Sequence, residues 1–251
     1  MPRIFLVNIG ANSSHKYRAC SPIFPDGTFV YVPFPLPDGE WGSRPYPREA
    51  WPFTNGVEWD QTHADPDWPN LTYGDYLGNA RAAALRTAGP GDILLFWAQL
   101  WRNLGDCWLD FTNECGWYLI GVLRIEETLS AGQSPRHARS ANRKRAEANA
   151  HFVGPRLERG HVVFLGDRQH SCLFTHAVPF VTGDLKSSLL YRTFRTAGNR
   201  PLPLRGTHWS GYVRSCRAVW NLEIADDLRR ATLLRTAISR KNAFDLLAGV
   251  G

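Results

Sequence analysis

Three apolar runs constrain this chain more than anything else in it: Ile4-Phe5-Leu6-Val7, Ile93-Leu94-Leu95-Phe96-Trp97-Ala98, and Trp117-Tyr118-Leu119-Ile120-Gly121-Val122-Leu123-Arg124-Ile125, the last interrupted by Arg124. Each falls well short of the roughly 20 apolar residues that cross a bilayer. They therefore read as buried strands, and no membrane partner is expected. The first run is followed at once by Asn8 and Gly10, with no small-residue cleavage site, so it reads as a first strand and not as a signal peptide. Residues 99–116 join the second and third runs into a hairpin-like pair with a Trp-rich tip.

Other signals fill in the chain. Pro25-Asp26-Gly27 is a turn, and Thr28-Phe29-Val30-Tyr31-Val32 after it reads as a strand. Residues 33–70 are dense in Pro, Gly, Asp and Trp and predict a long ordered loop or lid. The spacing of Leu77, Ala80, Ala84 and Leu85 predicts a helix over 76–88, stopped by Gly89-Pro90-Gly91-Asp92. Residues 134–150 are Arg- and Ala-rich and predict a helix. Val162–Leu165 and Cys172–Thr175 predict a second hairpin around Gly166-Asp167. Residues 188–195 read as a short strand or helix, and 221–236 and 240–248 as closing helices. Strands and helices do not alternate, which disfavours a doubly wound parallel sheet. The expected class is α+β: a mixed, mainly antiparallel β-sheet or partly open barrel with flanking helices, in one domain over 1–251.

Charge is unevenly distributed. Residues 1–133 hold 9 Lys/Arg against 15 Asp/Glu, and residues 134–251 hold 20 against 8. Such polarity draws polyanions to one part of a surface, although a solvated basic face gives the same pattern. Five cysteines at loose spacings do not make a disulfide framework, and reduced thiols in the cytoplasm are the expectation. Ten Trp, many in polar surroundings, are available either to the core or to base stacking.

Glycine-rich phosphate loops, His-Glu-x-x-His, Gly-x-Ser-x-Gly and Cys-x-x-Cys are all missing from the sequence. His170, Cys172 and His176 would share a strand face, yet a buried strand with internally bonded side chains explains them better than zinc. No residue set is assigned to a metal. His63-Ala64-Asp65-Pro66-Asp67 places two carboxylates beside an imidazole, fit either for acid–base or divalent-ion chemistry or for an ordinary capped turn. Asp26 and Asp75 carry the same ambiguity. Arg136, Arg139 and Arg143 would share one helix face and could contact phosphates, with His151 and Phe152 following.

Ser21-Pro22-Ile23-Phe24-Pro25-Asp26-Gly27, Pro33-Phe34-Pro35, His63-x-Asp65-Pro66-Asp67 and Tyr73-Gly74-Asp75 follow one another in an order that resembles the nucleotide-modification-associated domain 3 family. Gly89-Pro90-Gly91-Asp92 with the apolar run after it, the Gly121 strand and Asn149-Ala150-His151-Phe152 continue that order. The resemblance covers roughly residues 1–180, leaving 181–251 as a basic helical extension. It implies a setting of nucleotide or modified-base chemistry linked to DNA base hypermodification, without fixing a reaction. The expectation is a protein that recognises a nucleobase in DNA or a nucleotide and, in one reading, modifies it. The alternatives are an enzyme on free nucleotides, with Asp65 and Asp67 on Mg²⁺, and a non-catalytic reader of a modified base. Candidate chemical groups are His63, Asp65, Asp67 and Asp26. Candidate binding groups are Ser21, Tyr73, Asp75, Trp97, Trp101, Arg136, Arg139, Arg143 and His151. The cofactor is left open.

Overall fold

The computed structural model describes residues 2–10, 19–36, 43–56, 59–79, 82–152, 156–179, 204–205, 208–209 and 216–250. In chain order the strands are β1 (Arg3–Asn8), β2 (Ser21–Ile23), β3 (Phe34–Leu36), β4 (Ser43–Pro45), β5 (Gln61–His63), β6 (Thr72–Tyr76), β7 (Ile93–Asn103), β8 (Phe111–Ser130), β9 (His161–Gly166), β10 (Cys172–Pro179), β11 (Leu204–Arg205), β12 (His208–Trp209) and β13 (Cys216–Asn221). The α-helices among the described residues are α1 (Arg143–Glu147) and α2 (Ala225–Ser239).

The three apolar runs lie in β1, β7 and β8, at the centre of a sheet ordered β13-β1-β7-β8-β9-β6, with β10 also on β8 and β2 also on β7. The β1–β7 and β2–β7 ladders are parallel and the others in this sheet antiparallel. The sheet is open, so the barrel alternative is not realised among the described residues. The reason the central strands are apolar throughout is visible in their alternation, since successive side chains face opposite sides. Ile4, Leu6, Ile93, Leu95 and Trp97 face a core closed by Ala231, Leu234 and Ile238 of α2. Phe5, Val7, Leu94, Phe96 and Ala98 face the other, with Leu85, Tyr73 and Phe164. No helix among the described residues is long and apolar enough to cross a membrane.

Several local expectations are corrected. The described residues of 76–88 form no α-helix: β6 runs to Tyr76, and a 3₁₀ segment, Ala83–Thr87, follows. Gly78 and Asn79, poor interior helix residues, hold a turn instead. The 134–150 helix breaks into two 3₁₀ turns, Pro135–His137 and Ser140–Asn142, before the short α1. Thr28–Val32 makes only isolated bridges, Ile23 to Phe29 and Thr28 to His176. The lid-like stretch builds a small three-stranded sheet, β3-β5-β4. The expected Val162–Cys172 hairpin does not pair with itself, because β9 and β10 each take their own length of β8. Of the closing helices, α2 forms, whereas 240–248 is turns. The 188–195 element lies outside the described residues.

Candidate functional site

Two segments distant in sequence meet at Gly74 of β6. His63 ends β5, Asp65 follows two residues on, and His151 arrives from the turn after α1. His63 Nε2 lies 3.2 Å from His151 Nε2, and His151 Nε2 lies 3.0 Å from Asp65 Oδ2. His63 Nε2 and Asp65 Oδ2 are 3.9 Å apart. Asp65 Oδ1 accepts the Gly74 N–H at 2.7 Å, which turns Oδ2 toward the imidazoles. His151 Nδ1 faces His161 Nδ1 at 3.0 Å, and Asn149 Oδ1 accepts the His151 N–H at 2.9 Å. Beside this group, Tyr73 donates its hydroxyl to Asp75 Oδ2 at 2.8 Å, and Asp75 Oδ1 accepts the Tyr76 N–H.

Gly74 explains how so bulky a group fits. A Cβ there would sit 2.1 Å from His151 Cδ2, so the ring occupies the space a side chain would fill. Asp65 and His151 side chains are 8% and 5% exposed, while His63 at 22% is the open side of the group.

Burial sets the protonation. It pushes Asp65 up to about 7, although the neighbouring His63 and the Gly74 N–H pull the other way. It pushes His63 down to about 4, with Asp65 opposing and His151 and Arg44 assisting. His151 also falls to about 4 by burial, opposed by Asp75. Asp75 is raised, again chiefly by burial. Near neutral pH both imidazoles are therefore uncharged, with a nitrogen lone pair each.

The segment that carries His63 and Asp65 also walls a cavity of about 840 Å³. Thr62 and its register partner Arg44 line it, as do Phe29, Tyr31, Trp68 and Asn70. His63, next along β5, turns to the opposite face and joins the buried group, so cavity and centre lie on two sides of one strand. Trp68 is fixed edge-on against Phe96 and Tyr31.

Other residues singled out from the sequence lie elsewhere. Asp67 borders the cavity while capping its own turn, accepting from Asn70 N at 3.2 Å and Asn70 Nδ2 at 2.8 Å. Asp26 is exposed, accepts from Thr28 N and Oγ1, and lines a separate cavity with Arg102 and Lys241. The Ser21 hydroxyl is buried and accepts from Val32 N at 2.9 Å. Trp97 is fully buried against Trp117 in the α2-side core, and Trp101 pairs in register with Cys115.

The basic run does not form the expected stripe. Arg136 and Arg143 sit on different segments, and Arg139 is turned to Glu126 and Glu127 at 3.4 and 3.8 Å. Arg145, in sequence one more member of the basic cluster, is buried and donates to the carbonyls of Asn70, Leu71 and Gly166 and to Asn142 Oδ1. His161 carries no sequence signal, and Gly74 stands in the sequence only as part of the Tyr73-Gly74-Asp75 motif. The His170, Cys172 and His176 set does not converge: His170 precedes β10 and faces Asp167 Oδ1 at 2.8 Å.

Fold and site together define an open-sheet α+β protein with a buried imidazole–carboxylate centre. Within that class the chain belongs to the nucleotide modification associated domain 3 family, whose model matches residues 3–197. The match takes in β1 to β10 and every residue of the centre, reaches past the region of resemblance read from the sequence, and stops before β11. No curated protein and no solved structure matches the chain.

Proposed function

We propose that this protein binds a nucleobase, presented by a nucleotide or by DNA, in the cavity walled by Tyr31, Trp68 and Arg44, with the His63–Asp65–His151 centre held on the other side of the same segment. The observation that carries this reading is the two-sided segment Thr62–Asp67, which supplies a cavity wall and two members of the centre. The family description supports the ligand class. The cavity falls within the roughly 300–1,000 Å³ usual for small-molecule sites. Its rings suit the flat face of a base, and Arg44, Thr62 and Asn70 suit its polar edge.

Saturation of tryptophan fluorescence by a panel of mononucleotides, and separately by a single-stranded oligodeoxynucleotide at low salt, tests it. Trp68→Ala is expected to weaken binding by about 1–3 kcal/mol, roughly 5- to 150-fold. Absence of saturable binding to every nucleotide and to DNA overturns the reading. The two carriers are separated by salt. Arg136, Arg143 and Lys144 are exposed, so a DNA-borne base should bind with a salt slope that Arg143→Ala flattens. A free nucleotide should be indifferent to that substitution.

A further inference from the structure

We infer that His63, Asp65 and His151 form a binding site for one first-row divalent transition-metal ion. This goes beyond nucleobase binding and does not rest on it. Two ligand atoms about 2.1 Å from a common ion lie about 3.0 Å apart at a right angle and about 3.4 Å apart at the tetrahedral angle. The Nε2–Nε2 and Nε2–Oδ2 separations of 3.2 and 3.0 Å fall in that interval, and the third, 3.9 Å, opens a wider angle on the exposed side of His63. Three ligand atoms therefore surround one point, as around a metal with open positions for water or substrate.

The supporting groups are those a metal centre requires. A ligating imidazole is oriented by what its other nitrogen meets. Here His151 Nδ1 meets His161 Nδ1 at 3.0 Å, and in the tautomer in which His151 Nδ1–H donates to His161 Nδ1, the His151 Nε2 lone pair is directed toward Asp65 and His63. The carboxylate is oriented in turn by the Gly74 N–H. Two imidazoles and one carboxylate suit iron(II), manganese, cobalt or zinc better than magnesium or calcium, which favour all-oxygen shells.

The test uses the full chain after chelator treatment, with Co²⁺ alone as the optical probe and Zn²⁺ as competitor. One equivalent of Co²⁺ is expected to bind with visible ligand-field bands and no thiolate charge-transfer band, and Zn²⁺ is expected to displace it. His63→Ala and Asp65→Asn should abolish that equivalent, while His161→Ala weakens it about 10- to 100-fold. His63 is partly exposed, so His63→Ala should keep the parent's circular dichroism and carries the test even if Asp65→Asn misfolds. Cys107→Ser addresses the other grouping of ligand-type side chains among the described residues, Asp106, Cys107 and Asp110, and should change nothing. Absence of saturable Co²⁺ binding by the folded parent, binding that survives His63→Ala, or binding lost in Cys107→Ser overturns the inference. The nucleotide titrations above stand whichever way this experiment falls.

Discussion

The His63–Asp65–His151 centre and the Asp106–Cys107–Asp110 tip each gather three ligand-type side chains whose ligand atoms lie within 4.8 Å of one another, and they are built in opposite ways. At the tip everything is local. Asp110 Oδ2 accepts from Asp106 N at 3.0 Å, Cys107 N at 3.1 Å and Cys107 Sγ at 3.2 Å, all within one turn between β7 and β8. The hydrogen bonds from Cys107 hold that carboxyl below its usual range, and the backbone alone accounts for the gathering. At the centre the third member is not local: His151 is 88 positions from His63 and 86 from Asp65. Groups that a turn brings together are a by-product of capping. Groups gathered from distant segments, partly desolvated, stay together only because the surrounding fold holds them there.

That contrast can be broken by attacking the supports. The largest effect is expected from Arg145→Ala. The guanidinium ties Asn70, Leu71 and Gly166 together, and its loss removes the charge-assisted hydrogen bonds to all three carbonyls, at a cost on the order of 3 kcal/mol in denaturant unfolding. Arg139→Ala nearby, at a surface ion pair, should cost no more than about 1 kcal/mol. Gly74→Ala comes next. The added methyl collides with the His151 ring, so a loss of about 1–3 kcal/mol is expected, together with displaced His151 and His161 resonances by NMR. The smallest effect belongs to the tip. Asp110→Ala should loosen residues 104–110 to proteolysis while leaving the global unfolding midpoint in place. A large global loss there, or none from Gly74→Ala, would erase the distinction.

The frame of the molecule was legible where one local signal sufficed. The runs at Ile4, Ile93 and Trp117 became the sheet centre because an apolar strand has to be covered on both faces. His63, Asp65, Tyr73 and Asp75 were legible as a group because they lie within 13 positions of one another. The hub of the centre, His151, was legible as a candidate binding group after a basic segment but not as a partner of Asp65, because nothing local links the two. Arg145 stood inside a charge run and read as surface. Its role comes from three carbonyls contributed by two other segments, information that no window of the sequence contains. The helix predicted over 76–88 failed for a related reason. Its apolar spacing was real, but Leu77 donates its N–H to Gly160 across the fold instead of within a helix.

β8 runs for 20 residues and takes part in the ladders of β7, β9 and β10. A nick or a proline in its middle would detach the α2 side of the sheet from the side bearing His161 in a single event. Amide protons along all three neighbours should accordingly exchange with solvent through one shared opening, so that the half of the molecule bearing the buried imidazoles cannot melt while the helix-covered half stays closed.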